Sequence, residues 1–356
     1  MSPMTVKPAA STAVGSFPGV DPWETAAVIR GEFPELPVLA ELPARGPGAD
    51  MIGRALALLA GTVSPEFAAT TTTTGWRLAS QTSAQLPATM RRGLAWLGED
   101  LDATQSHWDT YSGPFKVQLV GPWTLAAAVE GKNGEALAFD QGAVRDLAAA
   151  SAQAASLHID DIRQRLPGAQ IVIQFDEPSL PAVLAGRIRT QSGWGACPPV
   201  PEPAARAVLS ELLASVMLTP ASTAIHCCGR DAPIDLIRQT GAQIVSIDLT
   251  SDRGEASDEE FGNLLDSDAL LMAGVVDPMG RPDNLTPAAV LRPLLTVLSR
   301  LSVSYGEASG RLLLSPSCGL AGVASLAATR PISKALVAAG RALRDDDAQT
   351  AERQGR

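Results

Sequence analysis

The chain has 356 residues, 46% of them hydrophobic, with a formal net charge of −10 and a pI near 4.9. That length can bury a large core, as one big barrel or two ordinary domains, and the acidic balance offers no basic stripe to a phosphate backbone, which excludes a nucleic-acid partner and favours a small substrate. No run of about 18 apolar residues suits a bilayer, Met1–Ala13 has no apolar signal core, and four cysteines, two of them adjacent, make no disulfide framework, so a cytoplasmic protein away from the membrane is expected.

In chain order, short apolar or β-branched runs alternate with Ala- and Leu-rich stretches of helical period. Strands are predicted at Thr12–Ser16 and Pro37–Ala40, separated by a helix over Pro22–Glu32 and followed by one over Ala49–Leu59. The Thr70–Thr74 run breaks the rhythm and reads as loop. A strand at Lys116–Val120 and a helix at Trp123–Glu130 lead through a loop at Asn133–Asp140 to a helix at Ala143–Arg165 and a strand at Gln170–Phe175. The Pro-rich stretch Cys197–Pro203 reads as a rigid surface crossing. Then come helix Glu202–Met217, strand Thr223–Cys227, helix Ile234–Gln239, strand Gln243–Ile247, helix Asp258–Leu265 and strand Leu270–Val275. Helix Pro287–Leu301, strand Arg311–Ser315 and helix Leu320–Leu343 complete the series. Several helices open on Pro, Asp, Ser or Thr, residues suited to a first turn. Eight strands in this rhythm predict an α/β fold, a single (β/α)8 TIM barrel over residues 1–343, with a charged tail at 344–356 that frays.

In such a barrel the chemistry sits at the carboxyl ends of the strands. Ser16, Glu41, Asp176 with Glu177, His226 with Cys228, Asp248, Asp277 and Cys318 each end or follow a predicted strand. Alternation in a strand puts His226 and Cys228 on one face and Cys227 on the other. With Cys318 they form a set of one imidazole and two thiols that suits Zn²⁺, with a position left for substrate. Against this stand plainer readings: three buried residues without a metal, and an Asp-Glu-Pro segment that merely caps its own turn. Cys197 and Cys227 read as packing residues, and His107 and His158 as helix histidines without ligand spacing.

Gly15-Ser16-Phe17-Pro18, Gly121-Pro122-Trp123-Thr124, Phe175-Asp176-Glu177-Pro178, His226-x-Cys228, Ile247-Asp248 and Ser315-Pro316-Ser317-Cys318-Gly319-Leu320 occur in an order and spacing that resemble the catalytic barrel of cobalamin-independent methionine synthase. The resemblance covers roughly the whole chain, as a short single-barrel relative in the superfamily that also holds uroporphyrinogen decarboxylase. It implies a zinc-dependent methyltransferase that moves a methyl group to the thiolate of homocysteine, giving methionine. It places one zinc on His226, Cys228 and Cys318, with Asp248 where the family has glutamate, and it gives the homocysteine carboxylate to Gly15 and Ser16 and the ammonium to Asp176. Outside the resemblance, Glu255 in the following loop is an alternative to Asp248, and Glu41, in a segment that departs from the family pattern, is a second anion for the ammonium. The chemistry agrees: an ordinary thiol has a pKa of about 8.5, and a bound zinc deprotonates it at neutral pH.

On the methyl-donor side the pattern departs. Met279 stands where the family has a proton-donating histidine, which leaves Asp277 as the proton donor, provided burial raises its pKa. No tryptophan follows Gly121-Pro122-Trp123-Thr124 at the folate-stacking position. The donor is therefore either methyltetrahydrofolate or a corrinoid, the latter with a corrinoid protein as partner. Two other classes are open: a metal-free lyase like the decarboxylase, holding carboxylates with Arg45, Arg54 and Arg230, and a non-catalytic barrel stabilised by zinc.

Overall fold

The computed structural model describes residues 6–80, 85–251, 254–280 and 285–354. The chain opens with β1 (Ala10–Ser11), α1 (Pro22–Glu32), α2 (Met51–Thr62), β2 (Ala69–Thr71), β3 (Trp76–Leu78) and α3 (Ala88–Trp108). It continues through β4 (Pro114–Val120), α4 (Pro122–Ala128), β5 (Val129–Glu130), α5 (Gln141–Arg165), β6 (Gln170–Asp176), α6 (Leu180–Leu184), α7 (Glu202–Val216) and β7 (Ala221–Cys227). The last part holds α8 (Ile234–Gln239), β8 (Ile244–Asp248), α9 (Asp258–Asp266), β9 (Leu270–Val276), α10 (Pro287–Arg300), α11 (Tyr305–Ala308), β10 (Leu312–Pro316) and α12 (Leu326–Gln354).

Local chemistry sets many of these boundaries. Asp21 caps α1 by accepting the N–H groups of Trp23 and Glu24, with Pro22 at the first helical position, and Asp140 and Thr286 cap α5 and α10 in the same way. The main sheet has seven parallel strands in the order β1, β10, β9, β8, β7, β6, β4. Alternation then divides its two faces. Ile171, Ile173 and Phe175 of β6 join the large core shared with the helices. Val172 of the same strand packs instead with Ala10, Leu36, Ala224, Ile244, Met272 and Leu313, a small apolar plug on the concave side of the curled sheet. Above the plug the concave face turns polar, with Lys116 and Gln118 of β4 and Gln174 and Asp176 of β6 all buried.

The eighth strand predicted for a closed barrel is not part of this ladder. Residues 37–41 make isolated parallel bridges, Val38 opposite Lys116 and Ser16 opposite Glu41. Leu39 N–H donates to the Lys116 carbonyl at 2.9 Å and Lys116 N–H to Pro37 at 2.9 Å. On the other side Glu41 N–H donates to Gly15 at 3.0 Å and Phe17 N–H to Glu41 at 2.8 Å. The segment thus touches both edges of the sheet through single bridges, and Pro37 at its start has no N–H to donate. The observed fold is α/β with a curled parallel sheet, similar to a TIM barrel.

Two further regions differ from the sequence reading. The 21-residue helix α3 fills a stretch left unassigned, although Met90, Leu94, Leu97, Leu101, Thr104 and Trp108 recur at helical spacing. Instead of a loop, the Thr70–Thr74 run contributes to a small second sheet in which β2 pairs antiparallel with β3 and β3 pairs with β5. At the other end, helix α12 continues to Gln354, past the boundary at 344 where the charge pattern predicted a tail; residues 355–356 lie outside the described residues. Among the described residues, no helix is long and apolar enough to cross a membrane.

Candidate active site

Register across three strands builds the floor of the site. Asp176 at the end of β6 lies opposite His226 of β7, which lies opposite Ser246 of β8, so all three project to the concave face. His226 is 2% exposed. Its Nδ1 lies 2.8 Å from the Ser246 hydroxyl, whereas Nε2 is buried with no hydrogen-bond partner. Cys228 follows β7 on the same face, while Cys227 turns away into the main core, as alternation requires.

Cys318 arrives from the opposite side of the sheet. A register shift between Ser315 and Pro316 ends β10, and Ser317 N–H donates to the Val276 carbonyl at 2.8 Å, which aims the loop inward. The Cys318 and Cys228 sulfurs stand 3.6 Å apart. The hydrogen bond with Cys228, together with the nearby His226 imidazole, pulls the Cys318 thiol below the ordinary range, and the same contact, with burial, pushes Cys228 up. None of the four cysteines forms a disulfide.

Gly15 and Ser16 border the Cys318 loop directly. Leu320 N–H donates to the Ser16 carbonyl at 2.8 Å, and a Cβ on Gly319 would fall 2.0 Å from the Ser16 hydroxyl, so any larger residue there would force that hydroxyl to turn. Asp176 is 7% exposed and accepts a hydrogen bond from Gln174 at 2.7 Å. Burial raises its pKa, with His226 and Lys116 working against the rise. Glu41 is also buried, and desolvation pushes its carboxyl up to about 7 despite Arg54.

Asp248 is engaged locally. Its Oδ1 accepts from the N–H and hydroxyl of Thr250 at 2.7 and 2.6 Å, and Oδ2 from the Ser251 hydroxyl at 2.9 Å. The side chain therefore shapes the loop after β8, and alternation puts it on the same face of the sheet as Ser246. Asp277 is exposed, and its Oδ1 accepts the Met279 N–H at 2.9 Å, so the burial that a proton-donor role demands is absent.

Three features escaped the sequence reading. Glu177 is fully buried, where desolvation raises its carboxyl to about 7, and it accepts the Trp123 and Thr124 N–H groups and the Thr124 hydroxyl at 3.0, 2.7 and 2.7 Å. It caps α4, so the Asp-Glu-Pro and Gly-Pro-Trp-Thr motifs are two halves of one structural joint. Second, Lys116 and Gln174 form a polar layer directly under Asp176, signalled in the sequence by polar residues alternating within otherwise apolar strands. Third, Arg45 and Arg54 are buried against Asp100 of α3, with Arg45 Nη2 2.5 Å from Asp100 Oδ1 and Arg54 paired to Oδ2. Both are committed to that carboxylate. Of the three arginines considered for a decarboxylase cleft, only Arg230 is exposed, in a groove of about 650 Å³ shared with Arg187 and Glu260.

The donor chemistry can be tested against zinc. Two thiolates on one tetrahedral zinc, each at about 2.3 Å, stand roughly 3.8 Å apart, close to the separation of Cys228 and Cys318. The buried unpartnered Nε2 of His226 is the nitrogen such a metal would take. Among the described residues, no group of three or more His, Cys, Asp or Glu side chains is already gathered to hold a metal ion.

A curled parallel sheet that gathers thiols, an imidazole and a buried carboxylate at the carboxyl ends of its strands has the arrangement of a barrel-like enzyme. Residues 114–341 match the family described as the cobalamin-independent synthase, catalytic domain, and the chain belongs to that family of methyltransferases. A solved structure of a B12-independent methionine synthase from Shewanella sp. W3-18-1, in complex with selenomethionine, shares the fold with a TM-score of 0.59 and 14% identity, over 95% of this chain and 98% of that one. No curated protein matches the sequence. The cobalamin-independent character of the family gives no support to a corrinoid donor or a corrinoid-protein partner, and membership argues against the decarboxylase alternative.

Proposed function

We propose that this protein is a zinc-dependent S-methyltransferase that moves the methyl group of methyltetrahydrofolate to the thiolate of homocysteine, giving methionine. The observation that carries this reading is the Cys228–Cys318 pair at 3.6 Å beside the unpartnered His226 Nε2. His226, Cys228 and Cys318 would hold the metal, and Asp248 would join them by exchanging its hydrogen bonds to Thr250 and Ser251 for the ion. When bound, zinc supplies acidification of the acceptor thiol at neutral pH. The protein's own residues do the positioning. Asp176 receives the ammonium of homocysteine, with Glu41 adding negative charge behind it, while the Ser16 hydroxyl and the Gly15 backbone take the carboxylate. In the transfer, the bond from the donor nitrogen to the methyl carbon breaks as the sulfur–carbon bond forms, and the nitrogen takes up a proton from solvent that balances the one the homocysteine thiol gave up. Residues 37–41, hydrogen-bonded to both sheet edges, complete the wall as the eighth strand of a (β/α)8 barrel.

Elemental analysis followed by X-ray absorption tests the assignment. About one zinc per chain is expected, with one light ligand replaced by sulfur when homocysteine is added. A folded protein without affinity for zinc, or a zinc shell indifferent to the thiol, would overturn it. In turnover assays methyltetrahydrofolate or its polyglutamate form is expected to support methionine formation, and methylcobalamin to support none.

A further inference from the structure

Beneath the mouth, three buried polar side chains run in line. Lys116 is fully buried, and its Nζ donates to the Val14 carbonyl at 2.6 Å and to Gln174 Oε1 at 2.9 Å. Gln174 Nε2 in turn donates to Asp176 Oδ1 at 2.7 Å and to Val14 at 3.1 Å. An amide has one accepting and one donating end, so this order is directional. Turned over, Gln174 would set its NH2 group against the Lys116 amine and its carbonyl against the Asp176 carboxylate, two repulsive contacts in a dry interior. Burial lowers Lys116 to about 7, but charged or neutral it donates to both oxygens, so the direction survives either way. Asp176 Oδ2 takes no hydrogen bond among the described residues, and the residue keeps 7% of its surface open.

We propose that Lys116 is a positioning residue for recognition of the substrate ammonium group, acting through Gln174 to hold Asp176 with Oδ1 occupied and Oδ2 left for the ligand. The chain of hydrogens runs from β4 to β6 and ends at the mouth, so a residue buried out of reach of any substrate selects for an amino group. This inference rests on the acceptor assignment made above.

The test compares two ligands that differ only in the ammonium group, methionine and 4-(methylsulfanyl)butanoate, by titration calorimetry on the full chain. Wild-type protein is expected to prefer methionine, and Lys116→Met to lose about tenfold of that preference, the scale of one charge-assisted hydrogen bond. General loosening of the site would weaken both ligands alike and leave their ratio unchanged. Gln174→Met breaks the line at its middle and is expected to do the same, which keeps the test open if Lys116→Met does not fold. A folded variant of either kind that retains the full preference overturns the relay. Wild-type protein that binds neither ligand overturns the acceptor assignment itself, and the relay with it.

Discussion

Between two sulfurs 3.6 Å apart, removing one should cost chemistry more than stability. Cys318 lies on a loop and is partly exposed, so Cys318→Ser is expected to lower turnover by at least about a thousandfold, while the unfolding midpoint moves within the roughly 0.5 kcal/mol typical of surface changes. Full activity in the variant would remove Cys318 from the mechanism. Glu41 poses a pH question. Its folded pKa of about 7 lies above the ordinary 4.5, so between these values the native state holds a proton that the unfolded chain has lost. The associated stability is fully present below pH 4.5, is lost as pH rises through 7, and amounts to roughly 3 kcal/mol. Glu41→Gln should therefore flatten the fall in stability between pH 5 and pH 8, which urea denaturation at the two pH values measures. An unchanged slope would show that Glu41 titrates normally. Lys116 acts in the opposite sense at higher pH: its depressed pKa makes the native state release its proton first, so its contribution rises from about pH 7 upward.

At the scale of elements, the joints between strand ends are more specific than the strands themselves. Glu177, at the end of β6, satisfies two N–H groups of the first turn of α4, and among the described residues no other capping side chain serves that helix. Glu177→Ala is expected to destabilise the protein by about 1–3 kcal/mol, leaving buried donors unpaired, with the change visible in the denaturation midpoint. A midpoint equal to that of the wild type would mean that water replaces the cap. The contact between Gly319 and Ser16 joins the first and last strand regions in a similar way. A methyl group in Gly319→Ala would press on the Ser16 hydroxyl proposed to take the carboxylate, so binding of methionine should weaken about tenfold or more while the fold persists. Both joints were readable only in part. Gly15-Ser16, Asp176-Glu177 and Cys318-Gly319 stood out as motifs, but nothing in their spacing revealed that Glu177 belongs to α4 or that Gly319 belongs to Ser16.

For the whole molecule, the decisive matter is how residues 37–41 span the two edges of the sheet. If they close the barrel, the amides of Leu39, Glu41 and Lys116 should exchange as slowly as those in the middle of β6, since all open only with the sheet. Fast exchange at Leu39 and Glu41 with slow exchange in β6 would mark an open sheet with a loop across it. Strands β4 and β6 to β10 were legible because each is a short apolar run ended by a polar or turn residue, and alternation alone placed His226 and Cys227 on opposite faces. Helix α3 was overlooked despite its regular apolar spacing, because a βα rhythm leaves no place for a long helix ahead of β4. The apolar plug and the polar layer above it were invisible, since they join residues from separate strands.

The amino-acid order by itself determined which side chains end the strands, because period-two alternation and turn chemistry act over a few residues. It also carried the set of sulfur, imidazole and carboxylate groups from which a thiol-directed methyltransferase was inferred. Only the tertiary structure decided which of these meet. It brought Cys318 to Cys228 across 90 residues of chain, turned Asp248 toward Thr250 and Ser251, left Asp277 in solvent, and set Lys116 beneath Asp176. The physical reason is that curvature and register of a parallel sheet are properties of all its strands together, and contacts across the mouth of the curled sheet follow from them rather than from any local run of residues.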